Sequence, residues 1–307
     1  SQLVKANGWI EGLTIASIIL GVVLGGQLMG AHIAPYLLAL DVPGVDLGIE
    51  SAPQAAIACM VLLYIAAALF NLRIPRTTST MQALPDSMWS LAGDFWTCNR
   101  RLWQDKLGQI SLATTTLFWG VSGNLRYIVL AWAAAALHYS TTQAAGLVGV
   151  VAIGTAAGAV LASMRVRLDR AIGVMPLGVL MGALVVLMVF VDRLWLAVPF
   201  LIFMGALGGY IVVPMNALLQ HRGHNLMGAG RSIAVQNFNE QACILGLGAL
   251  YSASAGVGLS AFGAIALFGA VVIAFMLLIQ RWHRHNLRRY PGKVERLLNI
   301  ARRDRGH

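Results

Sequence analysis

Three charged side chains fall about a turn or more inside long apolar stretches of this chain: Glu11, Arg126 and Glu240. An ionisable group at bilayer depth is costly, so it faces a polar partner or a water-filled path. Glu240 has company, because Gln236, Asn237 and Gln241 share an arc of about 140° with it at about 100° per residue. At about 1.5 Å per residue, Glu240 stands roughly 16 Å into its helix. That stripe reads either as the wall of a polar path or as a hydrogen-bonded network gluing helices together. Arg126 follows Asn124 and Leu125 well inside another helix, and its permanently charged fork suits a phosphate. The other reading of Arg126 is an ion pair with Glu240 or with a carboxylate outside this chain. Glu11 lies only about a turn inside its helix, where a gate or a snorkelling role fits better than substrate contact.

Small residues and prolines shape the neighbouring elements. Gly21 and Gly25, like Gly154 and Gly158, are spaced as GxxxG, which lets helices approach closely; such contacts either pack or slide open. Pro214 removes a backbone hydrogen bond and predicts a kink. Asn216, two residues on, either lines a path or caps the freed backbone.

The elements that must hold these groups are membrane helices. Mean hydropathy is +0.72, and only 11% of the residues are charged, far from soluble norms. Eight apolar stretches are long enough to cross a bilayer at about 20 residues each: near 8–29, 53–72, 109–137, 143–164, 171–191, 194–219, 229–255 and 259–283. All are read as helices, giving an all-α polytopic membrane protein. Eight crossings place Lys5, Arg73, Arg76, Arg100, Arg101, Lys106, Arg165, Arg167, Arg170, Arg222, Arg231 and the tail from Arg281 to Arg305 on one side. The other side receives Arg193 among Asp41, Asp46, Glu50 and Asp192. That asymmetry predicts cytoplasmic termini and assigns the net charge of +10 to orientation and lipid headgroups rather than nucleic acid.

Four regions follow: residues 1–72 carrying two helices, a connection over 73–108, six tightly joined helices over 109–283, and a basic tail over 284–307. The connection is too long for a plain loop. Trp89, Trp96 and Trp103 recur in it at seven-residue spacing, which predicts a helix either lying on the membrane surface or packed on the bundle. Leu3-Val-Lys-Ala-Asn-Gly-Trp-Ile is faintly echoed by Leu226-Met-Gly-Ala-Gly-Arg-Ser-Ile six spans later. That is the pattern of parallel six-helix repeats, the first two helices closing one half and the last six forming the other.

Absences narrow the class. No HExxH, GxSxG, Walker loop or strand-borne GxGxxG occurs, and the three cysteines form no metal-ligand cluster. No histidine is followed by an aspartate four or five residues on. The expectation is a transporter, not an enzyme, with no cofactor and no metal.

Several strings carry a resemblance: Leu3-Val-Lys-Ala-Asn-Gly, Leu117-Phe-Trp-Gly, Leu125-Arg126, Val213-Pro-Met-Asn-Ala-Leu-Leu-Gln220, Gly228-Ala-Gly and Ala234-Val-Gln-Asn237, with Glu240. Together they resemble the bacterial lysophospholipid transporter family of the major facilitator superfamily, from Leu3 to about Trp282. The resemblance implies twelve helices in two six-helix halves. This chain would match the fifth to twelfth, with the first four absent, and would not transport alone. It implies a flippase taking lysophosphatidylethanolamine, and lysophosphatidylglycerol, to the cytoplasmic leaflet of the bacterial inner membrane. An acyltransferase–acyl-ACP synthetase then restores the second chain. On that reading Arg126 holds the phosphate, with Glu240, Asn124, Asn216, Gln236 and Asn237 along the headgroup path. Glu11 and the glycine-bearing first and fourth helices, through Gly21, Gly25, Gly154 and Gly158, then form a gate or lateral opening. Two rivals stand beside it: a proton-coupled exporter of drugs or metabolites with Glu240 as proton carrier, and a membrane scaffold built on the tryptophan helix and the basic tail.

Overall fold

The computed structural model describes residues 51–73 and 87–303, with a scatter of single positions between 9 and 36. Among the described residues there is no strand; the chain is an all-helical polytopic membrane protein. This is what lipid demands, because only a helix satisfies its own backbone along an apolar crossing.

Helix α1 (Ala52–Asn71) belongs to one compact unit and all later helices to another. Gln54 Oε1 accepts from the Ser51 backbone N–H at 3.0 Å, and a proline stands in the first turn. Both features favour a helix start. Most of its large apolar side chains, Leu62 to Phe70 among them, are exposed, as for a helix clothed by lipid.

The second unit is a bundle of α2 (Met88–Gln104), α3 (Gly108–Leu137), α4 (Thr141–Arg165), α5 (Pro176–Leu187), α6 (Leu194–Met227), α7 (Ala229–Gly256), α8 (Ala261–Arg289) and α9 (Pro291–Arg303). Local signals set its boundaries. Asp105 Oδ1 accepts from the Leu107 and Gly108 N–H groups ahead of α3. Ser140 caps α4 and is answered by Gln143 Oε1 at 3.1 Å, and Ser260 Oγ accepts from Gly263 N–H at 3.1 Å at the start of α8. Each cap supplies a partner to amides that a helix start leaves orphaned.

Three differences from the sequence expectations have physical causes. The stretch near 171–191 is a composite: 3-10 turns over Leu168–Val174 and Met188–Phe190 flank the twelve-residue α5. Pro176 starts α5, because its ring cannot continue a helix from behind. Helix α6 does not stop near residue 219 but runs on to Met227, with Pro199 and Pro214 inside it. Finally, α3 and α7 are long helices but are not among the five apolar enough to cross by length and hydropathy. Each carries polar residues inside its length, Asn124 and Arg126 on α3 and Gln236, Asn237, Glu240 and Gln241 on α7, and they pack on each other.

Helix α3 is the hub, touching α4, α6, α7 and α8. Its Ile110, Leu117, Phe118 and Trp132 join Val185, Leu201, Met204, Val212, Met215 and Phe268 in one core. The Trp132 indole N–H donates to Val191 O at 3.2 Å. The tightest pairing joins α4 to α6. A Cβ on Gly154 or Gly158 would run into the Ile202 or Ala206 carbonyl, and one on Gly205 or Gly209 into those of Val151 or Thr155. The two backbones touch directly, which glycine alone permits.

Helix α2 lies within the 73–108 connection and docks on the bundle through Cys98 and Leu102, which pack with Leu112, Leu219 and Val235. Its tryptophan stripe divides along its length. Trp103 packs on the bundle, whereas Trp96 is 57% and Trp89 87% exposed. Within the basic tail, 284–289 extend α8, and α9 packs on the 168–174 turn and on α8.

Candidate functional site

The polar residues of α3, α6 and α7 fall into two groups. Asn216 projects from α6, two residues beyond Pro214, and Gln236 and Glu240 lie one turn apart on α7. The Gln236 amide donates to Asn216 Oδ1 at 2.7 Å and to Glu240 Oε1 at 2.8 Å, and all three residues are buried. An amide nitrogen has two hydrogens, and this one commits both. Asn237 and Gln241, from the same predicted stripe, are exposed. The stripe thus has a bonded side against α6 and an open side.

Asn124 is buried on α3, where its amide donates to Gly120 O at 2.8 Å and across to Ile244 O on α7 at 3.0 Å. Gly120 and Gly123 face Cys243, Leu247 and Ile244 of the same helix. Two residues on, Arg126 is exposed: its Nη2 donates to Tyr127 Oη at 3.1 Å, and its guanidinium lies 4.9 Å from that ring's centre. Among the described residues the ion pairs are Arg167–Asp169, Arg222–Asp105, Arg231–Asp94 and Arg302–Asp169, and the Arg126–Glu240 pair, the alternative reading of Arg126, is not among them. A cation laid on an aromatic face, with its other donors open, is available to an anion.

Of the expected gate residues, Gly154 and Gly158 are locked against α6 as described above. Gly21 is helical and exposed, and Glu11 and Gly25 lie outside the described residues.

Two features escaped sequence reasoning. Arg222 and Asp105 form a buried two-bond ion pair, Nε to Oδ1 at 3.1 Å and Nη2 to Oδ2 at 2.7 Å. It ties the α2–α3 turn to α6. Asp105 had a signal, since a carboxylate just ahead of an apolar run is a helix-start signature; Arg222 had none. The second feature is Gly205-x-x-x-Gly209, which carried the same GxxxG signal as Gly154 and Gly158.

Comparison with known proteins settles the family. The chain is 38% identical over 252 residues, 82% of its length, to the lysophospholipid transporter LplT of Yersinia pestis (strain Pestoides F). The same values hold for that of Yersinia pseudotuberculosis serotype O:3 (strain YPIII). The chain belongs to the lysophospholipid transporter family. It spans 57% of the length of those relatives. No protein-family model and no solved structure matches it. As a member of the lysophospholipid transporter family, the chain places the family-like strings Leu125-Arg126 and Val213–Gln220 on α3 and α6, the helices at the centre of the bundle.

Proposed function

We propose that the protein is a flippase that moves lysophosphatidylethanolamine, and lysophosphatidylglycerol, to the cytoplasmic leaflet of a bacterial inner membrane for reacylation by an acyltransferase–acyl-ACP synthetase. The observation that carries this reading is the likeness to transporters of that name over 252 residues. The geometry supports it: an exposed Arg126 and a buried carboxylate–amide cluster lie on helices otherwise built for an apolar medium. A lysolipid headgroup needs both. Arg126 takes the phosphate as a fork, and the open side of the α7 stripe, with Asn237 leading toward Glu240, receives the ammonium of an ethanolamine. The bonded members, Asn216, Gln236 and Asn124, hold α3, α6 and α7 at the spacing that keeps this path polar. The bundle is one six-helix half of a major-facilitator arrangement, and its basic end is cytoplasmic. There α2 lies at the membrane surface with Trp89 and Trp96 among the headgroups.

The test expresses the complete reading frame in a strain without lysolipid uptake. It follows conversion of external labelled lysophosphatidylethanolamine to the diacyl lipid. Wild type restores conversion. Arg126→Ala and Glu240→Gln each lower it about tenfold or more, the worth of a charge-assisted hydrogen bond. Absence of conversion by a correctly inserted wild type overturns the proposal. A dependence on the proton gradient alone, with no lysolipid movement, points to the exporter reading.

A further inference from the structure

A cavity of about 700 Å³ opens between α7 and α8, with α3 as its back wall. Leu250 and Gly246 line one side, Val271, Phe275 and Leu278 the other, and its floor is closed by Trp103 and Trp282. The two indoles are stacked, 6.0 Å apart and 5° from parallel. We infer that this slot is the seat of the lysolipid's acyl chain, separate from the headgroup path on α3 and α7. The inference rests on the lysolipid reading above.

Three observations select an amphiphile's chain as the occupant. The first is length: from Val271 to Trp282 the slot follows α8 for eleven residues, about 16 Å at the rise of a helix. That is close to one leaflet of a hydrocarbon core roughly 30 Å thick. The second is polarity at the floor. The Trp103 N–H donates to Asn239 Oδ1 at 3.2 Å, and Asn239 in turn donates to Asn99 Oδ1 at 2.9 Å. Beyond the stack, Lys106 lies 4.7 Å from the centre of the Tyr290 ring. An apolar channel ending in tryptophans and amides, with a cation beyond them, has the sequence of environments that a lipid chain meets on passing from the hydrocarbon core to the interface. The third is an unmet donor. Thr114 and Thr115 give their hydroxyls to the Ile110 and Leu112 carbonyls, whereas Thr116, on the slot wall, has a buried hydroxyl with no partner. One rotamer step exchanges a threonine's methyl and hydroxyl, which offers an ester oxygen a donor that bare methylenes would leave unsatisfied.

The experiment uses lysophosphatidylethanolamine carrying a diazirine midway along its chain. The protein is reconstituted in nanodiscs, irradiated, and its adducts are mapped. Adducts are expected on Leu250, Phe275 and Leu278, displaced by unlabelled lysophosphatidylethanolamine and not by an equal amount of diacyl phosphatidylethanolamine. Gly246→Leu fills the slot and abolishes them. A Cβ at Gly246 meets open space, so its melting temperature should match or exceed wild type. Thr116→Val lowers labelling about fivefold, one hydrogen bond's worth. Adducts equally frequent on exposed side chains such as Met164 and Phe190, or equally displaced by diacyl lipid, overturn the proposal in favour of ordinary bilayer lipid. No slot adducts from a protein that still takes up lysolipid in cells also overturn it, leaving the flippase reading intact. Slot labelling without uptake has the opposite meaning.

Discussion

Asp105 and Arg222 meet across the end of the bundle in a parallel two-bond pair, although 117 residues separate them in the chain. The same carboxylate also accepts from two amides at the start of α3. One side chain thus fixes a helix start, the α2–α3 turn and the far end of α6. Both partners are almost wholly buried, at 8% and 5% side-chain exposure.

Removing one partner leaves the other charge buried and unpaired. Asp105→Asn or Arg222→Gln is expected to destabilise the solubilised protein by about 3–5 kcal/mol. Thermal unfolding in detergent checks this. The double variant should fall well short of the sum of the two single losses, because neither charge is then stranded.

Cys98 reports on the same joint. Burial beneath α2, with Asp94 adding to it, raises the thiol above its ordinary value. A raised acid favours its protonated, docked form, so docking is undiminished below the ordinary thiol pKa and weakens as pH climbs from there toward the raised value. Maleimide labelling of Cys98 near pH 8 should therefore be slow in wild type. It should speed up roughly tenfold or more in Arg222→Gln, because the reactive species is the exposed thiolate. Equal rates would mean that α2 stays docked without the ion pair.

The glycines of α4 make a paired comparison within one helix. Gly158→Ala drives a methyl into the Ala206 carbonyl and should cost about 1–3 kcal/mol through overpacking. Gly146→Ala enters open space and should gain about 0.5–1 kcal/mol from reduced backbone entropy. Opposite shifts in melting temperature are the expected result.

Gln236→Leu tests the buried cluster. It takes the shared amide from Asn216 and from Glu240 at once and should cost about 1–3 kcal/mol for polar groups left short of a partner. Gln236→Glu, which puts a second acceptor between two acceptors, should be the worse variant. Denaturation of the two proteins side by side ranks them.

Helix positions were readable in advance because lipid leaves the backbone one option. The stretch near 109–137 became 108–137, and the Glu240 helix runs 229–256. What failed were the points where tertiary contacts override a pattern. Periodicity put three tryptophans of α2 on one face but not where the helix leaves the bundle, so Trp103 is covered and Trp89 is not. Composition marked Asn124, Asn216 and Gln236 as polar residues in apolar helices. Whether each faced a path or a neighbouring helix depended on helix rotation, which a sequence of small and apolar residues leaves undetermined. Arg222 looked like one more positive loop residue, because its partner lies in a distant turn.

The backbone-to-backbone seam between α4 and α6 makes those helices an internal gauge block. At Gly154 and Gly158 the nearest neighbours are atoms of the α6 backbone, which no rotamer change can move aside, so the pair can travel but resists stretching. Spin labels on Ile153 and Phe203, exposed positions on the two helices, would keep a constant separation through a transport cycle. Against that fixed reference, every other pair of labels in the bundle could be read as displacement.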